Sequence, residues 1–385
     1  MHGITLTKAP ADWEILQQEN GKATVALKGN FQVHPAAIEV GVERVTPVVR
    51  VMSEDDNMTV IPWTNADHFT CNEKFQGEFE VTLEIPAGGP YRIDTSLETK
   101  STVPDLTWLY RGDCVLHLGV GNLFIIAGQS NSAGYSRDFC IDPPSMDVHL
   151  YRNRSKWDIA SHPMNESTFA RSLANEEMGV PGVSPYLAFG KTYGKMTGMP
   201  VGLIQTSLGG SPMERWNPKD GDLYLNMVDK IHETGGRYAG VLWYQGCSDT
   251  NPGPAEKYLE HFREYVEATR KELGYEIPFF TMQLNRQING INDECWGMVR
   301  DAQARAAKEI PGVSVLTTSN LSLCDGIHNT AQANVALGEK MANQCAHVLN
   351  GKEEYQPPEL VKVERADEAE RKSFRKMALM ELILT

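Results

Sequence analysis

The sequence Asn122-Leu-Phe-Ile-Ile-Ala-Gly-Gln-Ser-Asn131 is the stretch that decides the fold of this chain. Its apolar run is typical of a buried strand, and the run ends abruptly in a glycine followed closely by Ser130. In an open α/β sheet, ligands bind at the carboxyl ends of the strands. Ser130 is therefore placed where its hydroxyl would meet a substrate. Taken alone, the pattern fits either a nucleophile or an ordinary turn serine.

From residue 119 onward, short apolar runs alternate with segments of helical periodicity. The runs that predict buried parallel strands are Val201–Thr206, Tyr238–Tyr244, Pro278–Leu284 and Val313–Thr318. The segments that predict helices begin at Ser184-Pro185, which opens a helix to about Met196, and continue with Ala255–Leu273, Met298–Ile310 and Ala331–Leu349. This alternation predicts an α/β domain over residues 119–350, with helices covering both faces of a parallel sheet.

The residues before 119 have the texture of antiparallel β structure. Phe79–Ile85 and Tyr91–Thr95 alternate apolar and polar residues around the turn Pro86–Pro90, which predicts a hairpin. Further strand candidates are Thr24–Leu27, Ile38–Val45, Val48–Met52 and Met58–Trp63. We therefore predict a small β-sandwich accessory domain over residues 1–118. It would either buttress the next domain or bind glycan, and the lack of a visible aromatic platform favours the buttress. Residues 351–385 form a charged segment of unknown role.

Composition narrows the classes of partner. A chain of 385 residues is expected to form about two domains. Its formal charge of −14 argues against nucleic acid or an anionic membrane surface as a partner. No apolar run is long enough to span a bilayer, and no secretory signal is visible, so we expect a cytoplasmic protein, although a trimmed secreted chain would look the same. The seven scattered cysteines lack metal-ligand spacing, and nucleotide-binding glycine loops are absent, so we expect no metal or other cofactor.

Polar clusters follow the predicted strands, and together they suit acyl transfer. Ser130 needs a base to become a useful nucleophile, and His328 has the right chemistry for that base. Asp325, three residues earlier, would orient the imidazole and stabilise its charged form. Expected donors to the oxyanion are the N–H of Ser130, an N–H of the glycine pair Gly209-Gly210 and the side chain of Gln245. The alternatives are that Asp325 only forms a turn and that Gln245 is only a buried structural amide.

These clusters, in this order, resemble the SGNH hydrolase superfamily, and more narrowly the sialate O-acetylesterase and acetylxylan esterase group of carbohydrate esterases. The resemblance covers about residues 119–350 and rests on Gly128-Gln-Ser-Asn131, Gly209-Gly-Ser-Pro-Met-Glu-Arg-Trp216, Trp243-Tyr-Gln-Gly246 with Ser248-Asp249, and Asp325-x-x-His328. It implies a flavodoxin-like three-layer domain, a Ser130–His328 pair oriented by Asp325, and no cofactor. Members often carry a β-rich accessory domain as well.

The chain departs from the superfamily at one point and from the group at another. Gln245 stands near the place of the superfamily's asparagine oxyanion donor, as it does in this group. The group usually reads Tyr-Gln-Gly-Glu-Ser-Asp, whereas this chain has Cys247 in place of the glutamate. Cys247 as an alternative nucleophile is disfavoured because no histidine is near it in sequence.

The expected function is a serine carbohydrate esterase, a carboxylic ester hydrolase that removes O-acetyl groups from a sugar through an acetyl-enzyme. The alternatives are an SGNH lipase or thioesterase for longer acyl chains, or a non-catalytic glycan-binding protein. Sialic acid, with its carboxylate, would favour an arginine near the site, and a xylan-type oligosaccharide would need none; the sequence leaves the sugar and the oligomeric state open. The arginine candidates are Arg137, Arg215 and Arg286. We predict substrate contacts from Gln129, Asn131, Arg215 and Trp216, whereas Trp216 and Trp243 also suit core packing and Glu214 with Arg215 suits a structural ion pair.

Overall fold

The structure is a computed structural model, and it describes residues 2–102, 108–165, 174 and 181–350. The predicted charged segment 351–385 lies outside the described residues. The strands are β1 (Gly3–Lys8), β2 (Ile15–Gln17), β3 (Lys22–Gln32), β4 (Val42–Ser53), β5 (Thr59–Asn65), β6 (His68–Phe69), β7 (Gln76–Pro86), β8 (Gly88–Ser101), β9 (Trp108–Gly128), β10 (Val148–Arg152), β11 (Lys156–Ile159), β12 (Val201–Gln205), β13 (Gly240–Tyr244), β14 (Phe279–Met282) and β15 (Val313–Leu316). The α-helices are α1 (Pro35–Glu39), α2 (Ser130–Ala133), α3 (Tyr186–Thr197), α4 (Asp222–Glu233), α5 (Pro254–Leu273), α6 (Asp293–Glu309) and α7 (Ala331–Leu349).

A parallel sheet organises the second half of the described chain. Its strand order is β10-β12-β9-β13-β14-β15, and every neighbouring pair in that run is parallel. Strand β11 adds an antiparallel edge beside β10. The carboxyl end of β9 lies in the interior of this sheet, between β12 and β13. The expected mixed α/β fold is therefore confirmed, and Ser130 follows an interior strand.

Burial explains why these strands read as continuous apolar runs. Every residue of β12, β13 and β14 is buried, as expected for strands covered on both faces. Helix α3 packs against α7, and α5 packs against α6. Their apolar sides join the strands in one large buried cluster. The site-bearing loops thus emerge from a rigid support.

The first part of the chain forms two layers of antiparallel strands. One layer has the order β1-β3-β7-β6, and the other contains β4, β5, β8 and the first half of β9. In β3 and β7, buried and exposed residues alternate strictly, so each strand turns one face to a shared apolar cluster. The predicted strands in this part largely coincide with β3, β4, β5, β7 and β8.

Two expectations for this part are wrong. The predicted hairpin does not form, because β7 pairs with β3 and β6 whereas β8 pairs with β4 and β9. Gly88 and Gly89, with φ of +138° and +133°, carry the chain from one layer to the other, which lets both strands bury their apolar faces in the same core. The predicted strand Ile38–Val45 is divided between the end of α1 and the start of β4.

Strand β9 connects the two parts of the chain without a break. It runs for 21 residues through the expected boundary at 118, pairing antiparallel with β8 at first and parallel with β12 and β13 later. Its residues contribute to both buried clusters. In the part of the chain that the structure describes, no helix combines the length and apolar character of a membrane span.

Candidate active site

Ser130 lies at the point where β9 turns into the short helix α2. Gly128 makes this turn with φ of +129°, and a Cβ at that position would lie 2.3 Å from the carbonyl oxygen of Tyr244. Glycine is therefore required on both conformational and steric grounds. Ser130 is only 4% exposed. As the first residue of a helix, it has an N–H without an intrahelical acceptor.

His328 and Asp325 reach Ser130 from the loop between β15 and α7. The ring Nε2 of His328 lies 2.9 Å from Ser130 Oγ, and its Nδ1 lies 2.6 Å from Asp325 Oδ2. With Nδ1–H donating to the carboxylate, Nε2 of a neutral ring is left to accept the Ser130 hydroxyl proton. The structure thus brings together the three residues that the sequence singled out.

The turn that carries Asp325 also favours its charged form. Asp325 Oδ1 accepts the N–H of Ile327 at 2.9 Å and the N–H of His328 at 2.7 Å. Partial burial by itself raises the pKa of Asp325, but these hydrogen bonds and the one from the His328 ring outweigh it, so the pKa lies below its usual value. Asp325 therefore presents a carboxylate to the imidazole at neutral pH.

Asn131 holds the histidine loop on both sides of His328. Its Nδ2 donates to the carbonyl of Ile327 at 3.1 Å, and its Oδ1 accepts the N–H of Asn329 at 3.0 Å. Asn329 is in turn fully buried and bonded through its side chain to Asn285 and Asn334. We expected Asn131 to contact substrate, but both ends of its amide are occupied, so its place in the structure is that of a clamp on the loop.

The glycine pair lies beside the nucleophile turn. The N–H of Leu208 donates to the carbonyl of Gly128 at 3.0 Å, which brings the following loop against the residues before Ser130. A Cβ on Gly209 would lie 2.3 Å from Tyr135 Oη, so this glycine allows a close approach, and Gly210 has φ of +69°. Either N–H as an oxyanion donor remains a prediction.

Gln245 does not fit the expected role of oxyanion donor. Its side-chain Nε2 donates to the carbonyl of Ser211 at 3.0 Å and to Asp249 Oδ2 at 2.5 Å, and the residue is completely buried. Both amide hydrogens are therefore used inside the protein. Asp249 also accepts the N–H of Met213 with both oxygens at 3.1 Å. Gln245 and Asp249 together fix the loop that contains Gly209 and Gly210.

Asp249, which accepts from Gln245, is a buried carboxyl group. Burial raises the pKa of its carboxyl above the usual value, although the hydrogen bonds from Gln245 and Met213 lower it in part. A buried carboxyl kept by several donors is a structural anchor rather than a group open to substrate.

A match to a family model covers residues 120–347, more than half of the chain, and that family is described as SASA, a carbohydrate esterase, sialic acid-specific acetylesterase. The chain belongs to the SASA family. The match includes every residue of the Ser130–His328–Asp325 arrangement. It confirms the resemblance to sialate O-acetylesterase-like carbohydrate esterases that the motifs indicated.

Individual relatives agree with this assignment. A probable carbohydrate esterase of Arabidopsis thaliana is 29% identical over 245 residues, which cover 57% of this chain and 88% of the relative. A solved structure of an Arabidopsis thaliana protein has a TM-score of 0.51 at 24% identity and covers 59% of this chain and 98% of its own. A carbohydrate acetylesterase from Xanthomonas citri has a TM-score of 0.53 at 20% identity, covering 91% of this chain and 76% of its own. The two structures support the fold, including its first part in the Xanthomonas case.

Gln129 and Trp216, which we also expected to contact substrate, lie in the framework of this SASA-family chain. Gln129 Oε1 accepts the N–H of Gly246 at 2.9 Å and that of Ser248 at 3.2 Å, so it braces the next loop. Trp216 is fully buried, with its ring 5.2 Å from that of Trp243, so core packing is correct for both tryptophans. A side chain with no exposed surface cannot meet a sugar.

The three candidate arginines differ in the ion pairs and hydrogen bonds that their side chains form within the protein. Arg215 makes a forked ion pair with Asp222, at 3.0 and 2.6 Å, so the expected pair with Glu214 is wrong. Arg286 donates to the carbonyls of Ser319 and Leu321 at 2.7 and 2.9 Å. Arg137 is exposed, and its side chain forms no ion pair with a residue that the structure describes.

Tyr135 is a site residue that sequence reasoning missed. Its ring stacks on that of His328, with centroids 5.3 Å apart and planes inclined by 28°, while its hydroxyl lies against Gly209. It therefore forms a wall between the imidazole and the glycine loop. Its only sequence signal is its position five residues after Ser130.

Cys247, the departure from the usual glutamate, is half-buried in the loop that follows β13. Burial raises the pKa of its thiol to about 12, and the carboxylates of Asp249 and Asp325 add to that effect. A thiol that stays protonated at neutral pH is a poor nucleophile. Within the described residues, no group of three or more His, Cys, Asp or Glu side chains is arranged to hold a metal ion.

Proposed function

We propose that this protein is a serine esterase that removes O-acetyl groups from a sugar through an acetyl-enzyme intermediate. The observation that carries the proposal is the hydrogen-bonded chain from Ser130 Oγ to His328 Nε2 and from His328 Nδ1 to Asp325. These two hydrogen bonds join a nucleophile, a base and an orienting carboxylate in the order that acyl transfer needs. The family assignment supports a carbohydrate ester as substrate.

In the proposed acylation step, His328 Nε2 takes the hydroxyl proton while Ser130 Oγ attacks the acetyl carbonyl carbon. Asp325 stabilises the imidazolium that forms. The resulting oxyanion would accept the N–H of Ser130 and an N–H of Gly209 or Gly210, since Gln245 is committed elsewhere. One such donor contributes about 3 kcal/mol to transition-state stability. Collapse breaks the bond to the sugar oxygen, which receives the proton from His328.

Deacylation uses the same residues in the same geometry. Water enters after the sugar leaves, and His328 removes one of its protons as the oxygen attacks the acetyl carbon. The second tetrahedral species expels Ser130 Oγ, which regains its proton from His328, and acetic acid leaves and ionises to acetate in solvent. The chain's own residues supply every proton transfer in this sequence, and the proposal involves no cofactor.

The surroundings of the nucleophile bear on which acyl group and which sugar the site would accept. Ser130 is nearly buried, which suits a short acyl group such as acetyl. Of the arginines near the site in sequence, exposed Arg137 is the candidate for the carboxylate of a sialic acid. A neutral xylan-type oligosaccharide would not need it.

We further infer that residues 119–350 form a flavodoxin-like SGNH domain and residues 1–118 a β-sandwich-like accessory domain.

Hydrolysis of 4-nitrophenyl acetate by purified protein tests the proposal. We expect activity in the parent, its near-complete loss in Ser130→Ala, and covalent labelling of the parent alone by a fluorophosphonate. Cys247→Ala is the matched control, because it removes the neighbouring nucleophilic side chain and should stay active. Activity that survives in Ser130→Ala would contradict the assignment of the nucleophile.

The same preparation distinguishes the other two functions. A lipase or thioesterase would hydrolyse the octanoyl ester faster than the acetyl ester. A non-catalytic glycan-binding protein would hydrolyse neither and would not react with the fluorophosphonate. Release of acetate from acetylated sialic acid and from acetylated xylan, compared between the parent and Arg137→Ala, then identifies the sugar.

A further inference from the structure

An aromatic and charged row crosses the outer face of the sheet in the first part of the chain. Arg50 of β4 pairs in register with Asp94 of β8, and Trp63 of β5 lies next to Arg50 on the other side. The neighbouring residues Val51 and Ile93 point into the buried cluster. Because side chains alternate along a strand, the row faces away from that core.

The row is held by charge-assisted hydrogen bonds. Asp94 Oδ2 accepts from Arg50 Nε at 2.8 Å, and Asp94 Oδ1 accepts from Arg92 Nε at 2.8 Å. The guanidinium carbon of Arg50 lies 4.6 Å from the centre of the Trp63 ring, so the cation covers one side of the indole. Trp63 is thereby fixed in orientation without being part of a core.

Part of each group remains open to solvent. Trp63 is 37% exposed, and the side chains of Arg50 and Arg92 are 28% and 31% exposed. Each guanidinium has five N–H donors, more than Asp94 can accept. The row therefore combines an ordered aromatic surface with unused donors and a carboxylate.

We propose that Trp63, Arg50, Arg92 and Asp94 form a second carbohydrate site that takes a pyranose ring of a glycan. The electron-rich face of the indole attracts the C–H groups of such a ring. The guanidinium groups and the carboxylate then bind its hydroxyls, or a sugar carboxylate in an acidic glycan. The inference rests on the proposed function only in taking the ligand to be a glycan.

A site of this kind changes how the esterase meets a polymer. Binding through the first part of the chain keeps the polymer tethered, so the encounter of an acetylated residue with Ser130 becomes an intramolecular event. Small acetyl esters gain nothing from the tether. The inferred site therefore affects polymeric and small substrates differently.

Affinity electrophoresis of the full chain tests the inference, with soluble xylan in one gel and polysialic acid in another. Ser130→Ala is the background, so that the polymers are not altered during the run. We expect at least one polymer to retard this protein, and Trp63→Leu to weaken that retardation about tenfold or more in apparent Kd, equivalent to about 1.4 kcal/mol. Met58→Ala is the matched control, because Met58 is 64% exposed beside β5 but lies outside the row.

The outcomes separate clearly. Retardation by neither polymer, or equal retardation of the Trp63→Leu protein, would overturn the inference. Arg92→Gln provides a second variant if Trp63→Leu yields no folded protein; weaker retardation supports the site and unchanged retardation overturns it. Hydrolysis of 4-nitrophenyl acetate by Trp63→Leu with Ser130 intact should match the parent. A failed esterase assay would thus refute the proposed function without affecting the gel result.

Discussion

Replacement of Asn131 by alanine tests how the position of His328 is maintained. The change removes the two side-chain hydrogen bonds that hold Ile327 and Asn329, the residues on either side of the histidine. The N–H of Asn329 is buried, and leaving it unpaired costs about 1–3 kcal/mol, whereas the half-buried Ile327 carbonyl adds less, so we expect the free energy of unfolding to fall by about 1–3 kcal/mol. Asn131 does not bond to Ser130, Asp325 or the imidazole itself, so any effect on catalysis must pass through the loop.

The expected kinetic effect follows from the 2.9 Å contact between His328 Nε2 and Ser130 Oγ. A displacement of about 1 Å at a catalytic contact costs about 100-fold in rate. We therefore expect kcat for 4-nitrophenyl acetate to fall by about that factor in the fraction of Asn131→Ala that is folded. The KM should change little, because Asn131 lies in the framework and is only 3% exposed.

Asn131→Asp is the matched variant for this experiment. It keeps an acceptor for the N–H of Asn329 but places a carboxylate oxygen against the carbonyl of Ile327. Repulsion between these two oxygens should displace the loop as well, so we expect kcat to fall as it does in Asn131→Ala. The reasoning would be refuted by an Asn131→Ala protein that is destabilised yet keeps the parent kcat.

Three further perturbations follow from the same contacts. Asp325→Asn should lower kcat by about 100- to 10,000-fold with little change in thermal midpoint, because the orienting carboxylate is lost; a kcat within threefold of the parent would contradict the role. Gln245→Ala should lower the free energy of unfolding by about 3 kcal/mol, measured in urea, because it leaves the Ser211 carbonyl without its donor and buried Asp249 with only the Met213 N–H; unchanged stability with a large loss of kcat would instead make Gln245 an oxyanion donor. Cys247 should resist iodoacetamide at pH 8, because its pKa of about 12 leaves almost no thiolate, whereas exposed Cys71 is modified sooner; peptide mass spectrometry decides, and faster labelling of Cys247 would contradict the raised pKa of its thiol.

Much of the α/β part could be predicted because its signals are local. The apolar runs that predict strands coincide with β12 to β15, and Ala331–Leu349 coincides with α7. A buried parallel strand must be apolar throughout, so its sequence is distinctive. Helix α4 and strands β10 and β11 were not predicted. The predicted hairpin of Phe79–Ile85 and Tyr91–Thr95 was wrong, because burial in the shared core, and not the turn between the strands, sets which strands pair.

The sequence by itself determined which residues are the candidates for the proposed chemistry. The residue types Ser, Asp and His, placed after predicted strands in a fixed order, were sufficient to single out Ser130, Asp325 and His328. Their spacing also carried the family resemblance that the family model later confirmed. These residues could be found because acyl transfer accepts few side chains for each role.

Only the tertiary structure decided what the surrounding polar residues do. Gln129, Asn131 and Gln245 looked like substrate or oxyanion contacts, yet each is buried and bonded across the sheet edge to a loop distant in sequence. An amide side chain has donors and acceptors suited equally to a substrate and to the backbone, so composition cannot distinguish the two uses. Which partner it meets depends on how loops nearly 200 residues apart converge, as Asn131 and Ile327 do, and that convergence is a property of the packed sheet.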